Sequence, residues 1–334
     1  MQSRLVSSPF LALTGTVVLW ASAFPAIRVG VDGLGVQALS FLRIVIAAGA
    51  LLLVAPFAHV RVPRFPDLPM IALCGATGIT AYQLLLNWGE VNVAAGTASL
   101  LIAIVPAFSV LLGSLFLRER VSRNIVLGSV VALVGAAIVS MAKGPGGLSV
   151  SALVVLAAAV VQGVYHVATK PLLRHYTGLE IATYAMVAGT VFALPLAPAT
   201  WHAALHAPAD ALAWALYLGL FPSALGFVIW GYAVARLPLA ASTAALYLVP
   251  PVALCIAFVW LGEVPHFIEL VGGAVSVAGV IVINRRNQPQ RARRMPGGTP
   301  VHAAADQPLT PNSENTRSPR RIVDTVSGPG PTKE

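Results

Sequence analysis

Apolar residues fill ten long stretches of this chain, 10–29, 36–57, 68–88, 93–117, 124–141, 148–169, 179–197, 212–234, 237–261 and 267–283, separated by short polar or Gly- and Pro-containing breaks. A helix crossing the roughly 30 Å hydrocarbon core of a bilayer needs about 20 mostly apolar residues, and each stretch approaches that length. A membrane barrel would instead show segments of about ten residues alternating in polarity, whereas these are continuously apolar and rich in Ala, Leu, Val and Gly. The pattern predicts an all-α integral membrane protein with ten transmembrane helices. Composition agrees: 57% of the 334 residues are hydrophobic and 10% charged, which excludes a soluble globule. Arg4, the first apolar stretch and Ala21-Ser22-Ala23 imitate a cleavable signal peptide. Pro25 follows the apparent cut, however, and removing this stretch would destroy the internal symmetry described next.

Displacing the chain against itself by 144 residues superposes Gly75 on Gly219, Pro106 on Pro250, Leu117 on Leu261, Glu119 on Glu263, Gly128 on Gly272 and Gly135 on Gly279. An offset of 142 carries Arg28 onto Lys170, as a small loop indel requires. Each copy holds five spans, an odd number, so the copies lie upside down relative to one another. Inverted repeats of this kind are typical of secondary transporters, which rock one half against the other around a central site. The charges give an orientation. With the N-terminus inside, Arg4, Arg61, Arg64, Arg118, Arg120, Arg123, Lys170, Arg174 and Arg236 all fall on the cytoplasmic side, against Lys143 alone outside. Residues 285–334 begin with Arg285, Arg286, Arg291, Arg293 and Arg294 and continue as a Pro, Ser, Thr and Asn mixture, which reads as a disordered cytoplasmic tail. Its basic cluster is either a solvated stop-transfer anchor or a contact for anionic lipid headgroups.

The paired segments 99–139 and 243–283 each carry a mid-helix Pro, an exit Glu (Leu117-Arg118-Glu119 and Leu261-Gly262-Glu263) and a Gly-spaced closing helix. With Trp20-Ala21-Ser22-Ala23-Phe24 and Arg43, they resemble two EamA domains of the drug/metabolite transporter superfamily over about residues 10–284. The resemblance implies ten helices, cytoplasmic termini, a bacterial inner-membrane location, alternating access and export of amino acids, other metabolites or drugs. The expected organisation is a first repeat at 1–142, a second at 143–284 and the tail at 285–334.

Polar stripes mark a candidate cavity. Gln162, Tyr165, His166 and Thr169 recur at helical spacing on one narrow face, and Thr77, Thr80, Gln83 and Asn87 form a broader stripe on the third helix. Singly, such residues serve either as interhelical glue or as cavity lining; two stripes together favour a shared cavity. Their repeat partners are Trp20 and Phe24 on the first helix and Phe221 and Phe227 on the eighth, so the cavity should have an aromatic wall suited to an amphipathic organic solute. Arg43 lies about 10 Å below the outer surface, counting 1.5 Å per residue from Val36. An intramembrane charge is a functional candidate by default. Its guanidinium either receives a carboxylate or phosphate or holds backbone carbonyls in the bundle, and its repeat counterpart is Met186. The substrate-binding candidates are therefore Trp20, Phe24, Arg43, Thr80, Gln83, Asn87, Gln162, Tyr165, His166 and Phe227.

Other features are structural. Arg28 has Asp32 one turn onward as an expected partner. Pro25, Pro106, Pro250 and Pro251 free carbonyls and bend their helices. Glu119 and Glu263 cap or bridge neighbouring loops. The small residues Gly128, Ala132, Gly135 and Gly272, Ser276, Gly279 pack either the two halves together or two protomers in a homodimer through the fifth and tenth spans. No Asp or Glu occupies the middle of any span. That leaves His166, whose ordinary pKa lies near neutrality, as either a proton site or a hydrogen-bonded structural residue.

Cys74 and Cys255 lie inside apolar stretches and offer neither a disulfide framework nor a zinc site. The chain also lacks a His-Glu-x-x-His motif, a nucleophile elbow and paired intramembrane aspartates. No enzyme activity, cofactor, metal or nucleic-acid partner is expected. The partners are membrane lipid and a small-molecule substrate, and the expected function is a secondary transporter, an exporter of a small amino-acid-like or amphipathic metabolite. The alternative is a non-transporting sensor or scaffold.

Overall fold

A computed structural model describes residues 9–116, 123–140, 149–237 and 239–284. Among them every regular element is helical. Glu119, Lys143, the arginines of 118–120 and the tail expected to be disordered lie outside the described residues.

The first two apolar stretches form one helix, α1 (Pro9–Val54), which bends at Gly35 (φ 74°, ψ 163°). That backbone region is open essentially to glycine alone. With no polar loop between the stretches, one residue provides the reversal that a longer linker would otherwise supply. At 1.5 Å per residue the 46 residues run to roughly 70 Å, more than twice the hydrocarbon thickness. A rod follows, built of α2 (Leu68–Cys74), a π-helical turn (Gly75–Ala81) and α3 (Tyr82–Glu90); then α4 (Ala95–Ile102), α5 (Val105–Phe116) and α6 (Arg123–Ser140) complete the first half.

The second half repeats this order. α7 (Val150–Leu172) is followed by α8 (Gly178–Ala193) and α9 (Ala197–His206). α10 (Ala209–Leu218), a π-helical turn (Gly219–Leu225) and α11 (Gly226–Arg236) form the second rod, and α12 (Leu239–Ala244), α13 (Val249–Leu261) and α14 (Phe267–Asn284) close the half. Among the described residues, six helical stretches are long and apolar enough to cross a membrane: Pro9–Val54, Phe65–Glu90, Ala95–Phe116, Val150–Leu172, Gly178–His206 and Ala209–Arg236. Ala245–Leu261 and Phe267–Gly279 are shorter apolar helices.

The 144-residue offset reappears in the backbone. Gly75–Ala81 maps onto Gly219–Leu225, so both π-helical turns are copies of one feature; the starts of α5 and α13 correspond, as do both ends of α6 and α14. The turns interlock the halves. A Cβ on Gly75 would lie 2.7 Å from the backbone nitrogen of Gly189 on α8, and one on Gly219 would lie 2.6 Å from Ile46 Cγ2 on α1. Each turn thus packs on the second helix of the opposite half, at a distance only glycine permits.

α6 and α14 also meet directly. A Cβ on Gly135 would collide with the backbone and hydroxyl of Ser276 and come within 2.6 Å of the Gly272 carbonyl. Of the two uses expected of the small-residue stripe, packing of the halves within one chain is the one observed. Gly135→Leu should therefore wedge this pair apart, lowering stability by about 1–3 kcal/mol, as overpacking of a close-packed site does. Thermal unfolding of the detergent-solubilised protein reads this as a drop in Tm, and an unchanged Tm would show that α6 and α14 do not pack as described.

Candidate functional site

The cavity follows from the repeat. Gln162 and His166 lie one turn apart on α7, and their copies Trp20 and Phe24 have the same spacing on α1. Gln83 on α3 is copied by Phe227 on α11. All six line one cavity between the halves, with about 620 Å³ of empty space that includes open solvent, together with Arg43, Tyr82 and Pro222. Each of these three repeat pairs contributes one polar and one aromatic member, so α3 and α7 give the cavity Gln83, Gln162 and His166 while α1 and α11 give it Trp20, Phe24 and Phe227, with Arg43 also on α1.

Edge and tilted contacts stiffen the aromatic side. Trp20 lies 5.3 Å from Phe227 and 5.4 Å from Trp230 between ring centroids, and His166 lies 4.8 Å from Trp230. Trp20 Nε1 donates to the Pro222 carbonyl at 3.1 Å. Pro222 sits inside the second π-helical turn, where the widened backbone leaves carbonyls available. On the polar side His166 is fully buried. Its Nδ1 is 3.0 Å from the Ser109 hydroxyl, and its Nε2 is 3.5 Å from Gln162 Nε2. Gln83 Oε1, Gln162 Oε1 and Trp230 Nε1 are buried without a hydrogen-bond partner. Two acceptors and one donor are thus unengaged around the cavity.

Arg43 is 3% exposed, and its acceptors are neutral. Nε donates to Ser223 Oγ at 3.3 Å and Nη1 to Asn87 Oδ1 at 3.4 Å. Asn87 is fixed in turn by donating from Nδ2 to Ser40 Oγ at 2.8 Å. Ser223 belongs to the second half and Asn87 to the first, so one guanidinium bridges both. A guanidinium carries five N–H donors, and these long bonds to neutral oxygens leave it suited to a carboxylate.

Seven of the ten candidate residues line the cavity: Trp20, Phe24, Arg43, Gln83, Gln162, His166 and Phe227. The other three stand behind it. Thr80 donates to the Gly189 carbonyl at 2.8 Å and joins the halves, and Asn87 positions Arg43. Tyr165 packs on Gly78, where any Cβ would strike its ring, and lies 5.5 Å from Phe227. Thr77 bonds back to the Leu73 carbonyl. Phe221, expected in the aromatic wall, is instead exposed, while Pro222 and Ser223 beside it are buried. Arg28 does not engage Asp32: its Nη1 donates at 2.7 Å to the carbonyls of Glu90 and Val91, closing the end of α3. Lys170, its repeat copy, donates to Val234 and Leu237 at the end of α11.

Near the starts of α2 and α8, apart from the cavity lining, lies a polar cluster. Arg61 grips the Glu180 carboxylate with two bonds, Nε to Oε1 at 2.7 Å and Nη2 to Oε2 at 3.0 Å, and also donates to the His175 carbonyl at 2.7 Å. Glu180, by hydrogen bond and by charge, raises the Arg61 guanidinium further above its ordinary pKa. Tyr176 donates to Asp67 at 2.6 Å and Tyr184 to the Arg61 carbonyl at 2.6 Å. Glu180 is also half of a capping box with Thr177, and that Thr-x-x-Glu spacing before an apolar stretch was a readable signal. At the opposite end Glu263 Oε2 accepts from the Gly96 amide at 3.4 Å, and Thr97 donates to Glu269 at 2.6 Å.

The candidates omitted Tyr82, Pro222 and Ser223 around the cavity, and they omitted a buried acid. Glu90, just past the third apolar stretch, is 0% exposed and neither carboxylate oxygen has a hydrogen-bond partner. Hydropathy alone does not reveal it, since the stretch ends at Trp88 and a terminal Glu reads as solvated.

The EamA-like transporter family model matches residues 7–141 and 149–285, the two structural repeats. A probable terminal-alkyne amino-acid exporter of Streptantibioticus cattleyicolor is 63% identical over 88% of this chain and 98% of that protein. The uncharacterized transporter YdfC of Bacillus subtilis is 35% identical over 81% and 90%, and a probable amino-acid metabolite efflux pump of Salmonella typhimurium is 25% identical over 82% and 93%. A crystal structure with 18% identity superposes with a TM-score of 0.60 over 83% of this chain and 96% of the other, a likeness of fold alone.

The Arg43 support can be tested apart from any ligand. Asn87→Leu removes one of the guanidinium's two acceptors inside the bundle and should cost about 1–3 kcal/mol, as for a buried group stripped of its partner. Ser40→Ala, which removes only the outer bond, should cost less. Thermal unfolding in detergent ranks the two, and the reverse order would refute the support assigned to Asn87.

Proposed function

The chain belongs to the EamA-like transporter family, and from that premise we propose that it exports an α-amino acid with a slim apolar side chain by alternating access. In this reading it crosses the inner membrane ten times, with both termini cytoplasmic. The observation that carries the substrate class is the division of the cavity. A guanidinium with neutral partners seats the carboxylate, as Arg suits a planar bidentate anion. The unengaged oxygens of Gln83 and Gln162 accept from the ammonium, and the wall of Trp20, Phe24 and Phe227 packs the side chain. The relative described as a probable terminal-alkyne amino-acid exporter supports the same class. An alkyne is linear and apolar with a polarisable π system, and an aromatic wall accommodates it without a hydrogen-bond partner.

Alternating access is supported by the interlocked inverted repeat and by the different chemistry of the two ends. The end built around Arg61 and Glu180 is closed by polar contacts between the halves, and the end carrying Glu263 is closed through the starts of α4 and α14. Rocking one half against the other exchanges one set for the other. The positive-inside distribution of Arg61, Arg64, Lys170, Arg174 and Arg236 supports a cytoplasmic position for the Arg61 end.

The test is counterflow in proteoliposomes. Vesicles preloaded with L-propargylglycine should accumulate the labelled compound, L-leucine should compete, and a nucleoside should not. Arg43→Ala should lower counterflow at least tenfold, and Arg43→Lys, which keeps the charge but loses the fork, should recover part of it. Full counterflow in well-folded Arg43→Ala would remove Arg43 from the carboxylate seat.

A further inference from the structure

Glu90 is chemically out of place. Its carboxylate is wholly buried with both oxygens unpartnered, and an ionised carboxylate in such surroundings carries a desolvation cost that no hydrogen bond offsets. Arg28 is close enough to bond the Glu90 main-chain carbonyl at 2.7 Å, yet it leaves the side chain alone. The capping role does not explain the carboxylate either. The repeat copy makes the same cap with Lys170 on the carbonyl of Val234, so closing the helix end requires only an apolar residue at this position.

The surroundings are those of a site that changes its proton content. Arg28 and Arg43 on α1, Tyr82 on α3 and Glu263 beyond α13 are its electrostatic neighbours. α4 carries no titratable residue, and α7 faces this end of α3 with Val155 and the Ser151 carbonyl, which approach Gly89. Glu263 in turn lines a cleft of about 490 Å³ with His266, Glu269 and Thr97 at that end of the bundle. A proton therefore has titratable groups along its way from the solvent-facing cleft toward Glu90. On the other side stands Arg43, which lines the substrate cavity while Glu90 does not.

We propose that Glu90 is a proton-binding site linked to the cavity through Arg43, so that substrate carboxylate and proton bind together. This rests on the reading of Arg43 as the carboxylate seat. The balance is simple: when Glu90 is ionised its negative charge compensates Arg43 and competes with an incoming carboxylate. When a proton from solvent neutralises a Glu90 oxygen, the guanidinium is left for the substrate. By reciprocity, binding the substrate draws a proton onto Glu90.

Purified full-length protein in weakly buffered detergent with a pH-indicator dye tests the link. Addition of L-propargylglycine should cause uptake of up to one proton per bound ligand, and affinity should weaken as pH rises, by at most about tenfold per pH unit, the slope of a single linked proton. Glu90→Gln should bind and counterflow with no proton uptake and a flat pH dependence; Glu90→Val, the residue of the repeat copy, provides a second variant should Gln perturb folding. Wild-type protein that counterflows without taking up a proton, or Glu90→Gln that still takes one up, overturns the proposal. Absence of counterflow in the wild type overturns the transport reading and the linkage with it. Infrared spectra of the ligand-free protein recorded as the pH is lowered separate the two failures. A protonated-carboxyl C=O band that grows in the wild type and is missing from Glu90→Gln shows that Glu90 takes up a proton whatever the substrate, and its absence from the wild type at the lowest pH overturns the site itself.

Discussion

A cation buried among neutral partners sets the terms for the rest of this bundle. Inside a bilayer every polar group must find its partner within the protein, and Arg43 finds only the Asn87 amide and the Ser223 hydroxyl, at 3.3–3.4 Å. Satisfying even these demands much of the fold. The second π-helical turn carries Ser223, with Pro222 beside it presenting its carbonyl to Trp20. α3 must be held by Thr80 and by Arg28 so that Asn87 meets Ser40 and Arg43 together. Because the two acceptors come from opposite halves, the halves must stay in register around the guanidinium, which the glycines at 75 and 219 permit by bringing each turn onto the opposite half.

The symmetry explains the architecture, and its breaking explains the chemistry. Where the repeat is strict, at the π-helical turns, the helix-end caps and the α6–α14 pair, the residues are structural and exchange roles freely: Arg28 and Lys170 do the same work with different groups. The cavity lining differs. Gln83 against Phe227, Gln162 against Trp20 and His166 against Phe24 each pair a polar lining residue with an aromatic one, and the counterpart of Arg43, Met186, is apolar and lies outside the lining. Two identical halves would enclose a site with matched faces. Divergence at these four pairs gives a cavity that can orient a molecule with one polar and one apolar end.

Much of this was readable in the chain because membrane physics writes itself into composition. The repeat offset, the helical class and the polar and aromatic stripes depend on periodicity and residue type, and seven of the ten candidate lining residues share one cavity. What escaped depends on backbone detail that periodicity does not encode. Within the second π-helical turn Phe221 lies exposed and Ser223 buried beside Arg43. Thr80 and Tyr165 lie on the expected helices, but another segment comes close enough to claim them. Glu90 escaped for a different reason: a hydropathy stretch ends where polarity begins, whereas burial is decided by whatever packs over the end, here Arg28 across the carbonyls and α7 against Gly89.

The contacts at the two ends differ from those in the middle in a way that bears on movement. Arg61 is 58% exposed and Glu180 only 4%, so breaking their pair returns the guanidinium to water it already touches but leaves the buried carboxylate with the Thr177 amide. The interlock at Gly75 and Gly219, by contrast, sets the glycine backbone close against Ala188 and Ile46 of the opposite half, a close-packed contact that does not tolerate separation. If the halves rock, the axis must therefore pass near these turns. Arg43 and the cavity lie beside them, so a ligand held there would stay in place while the polar contacts at either end open and close.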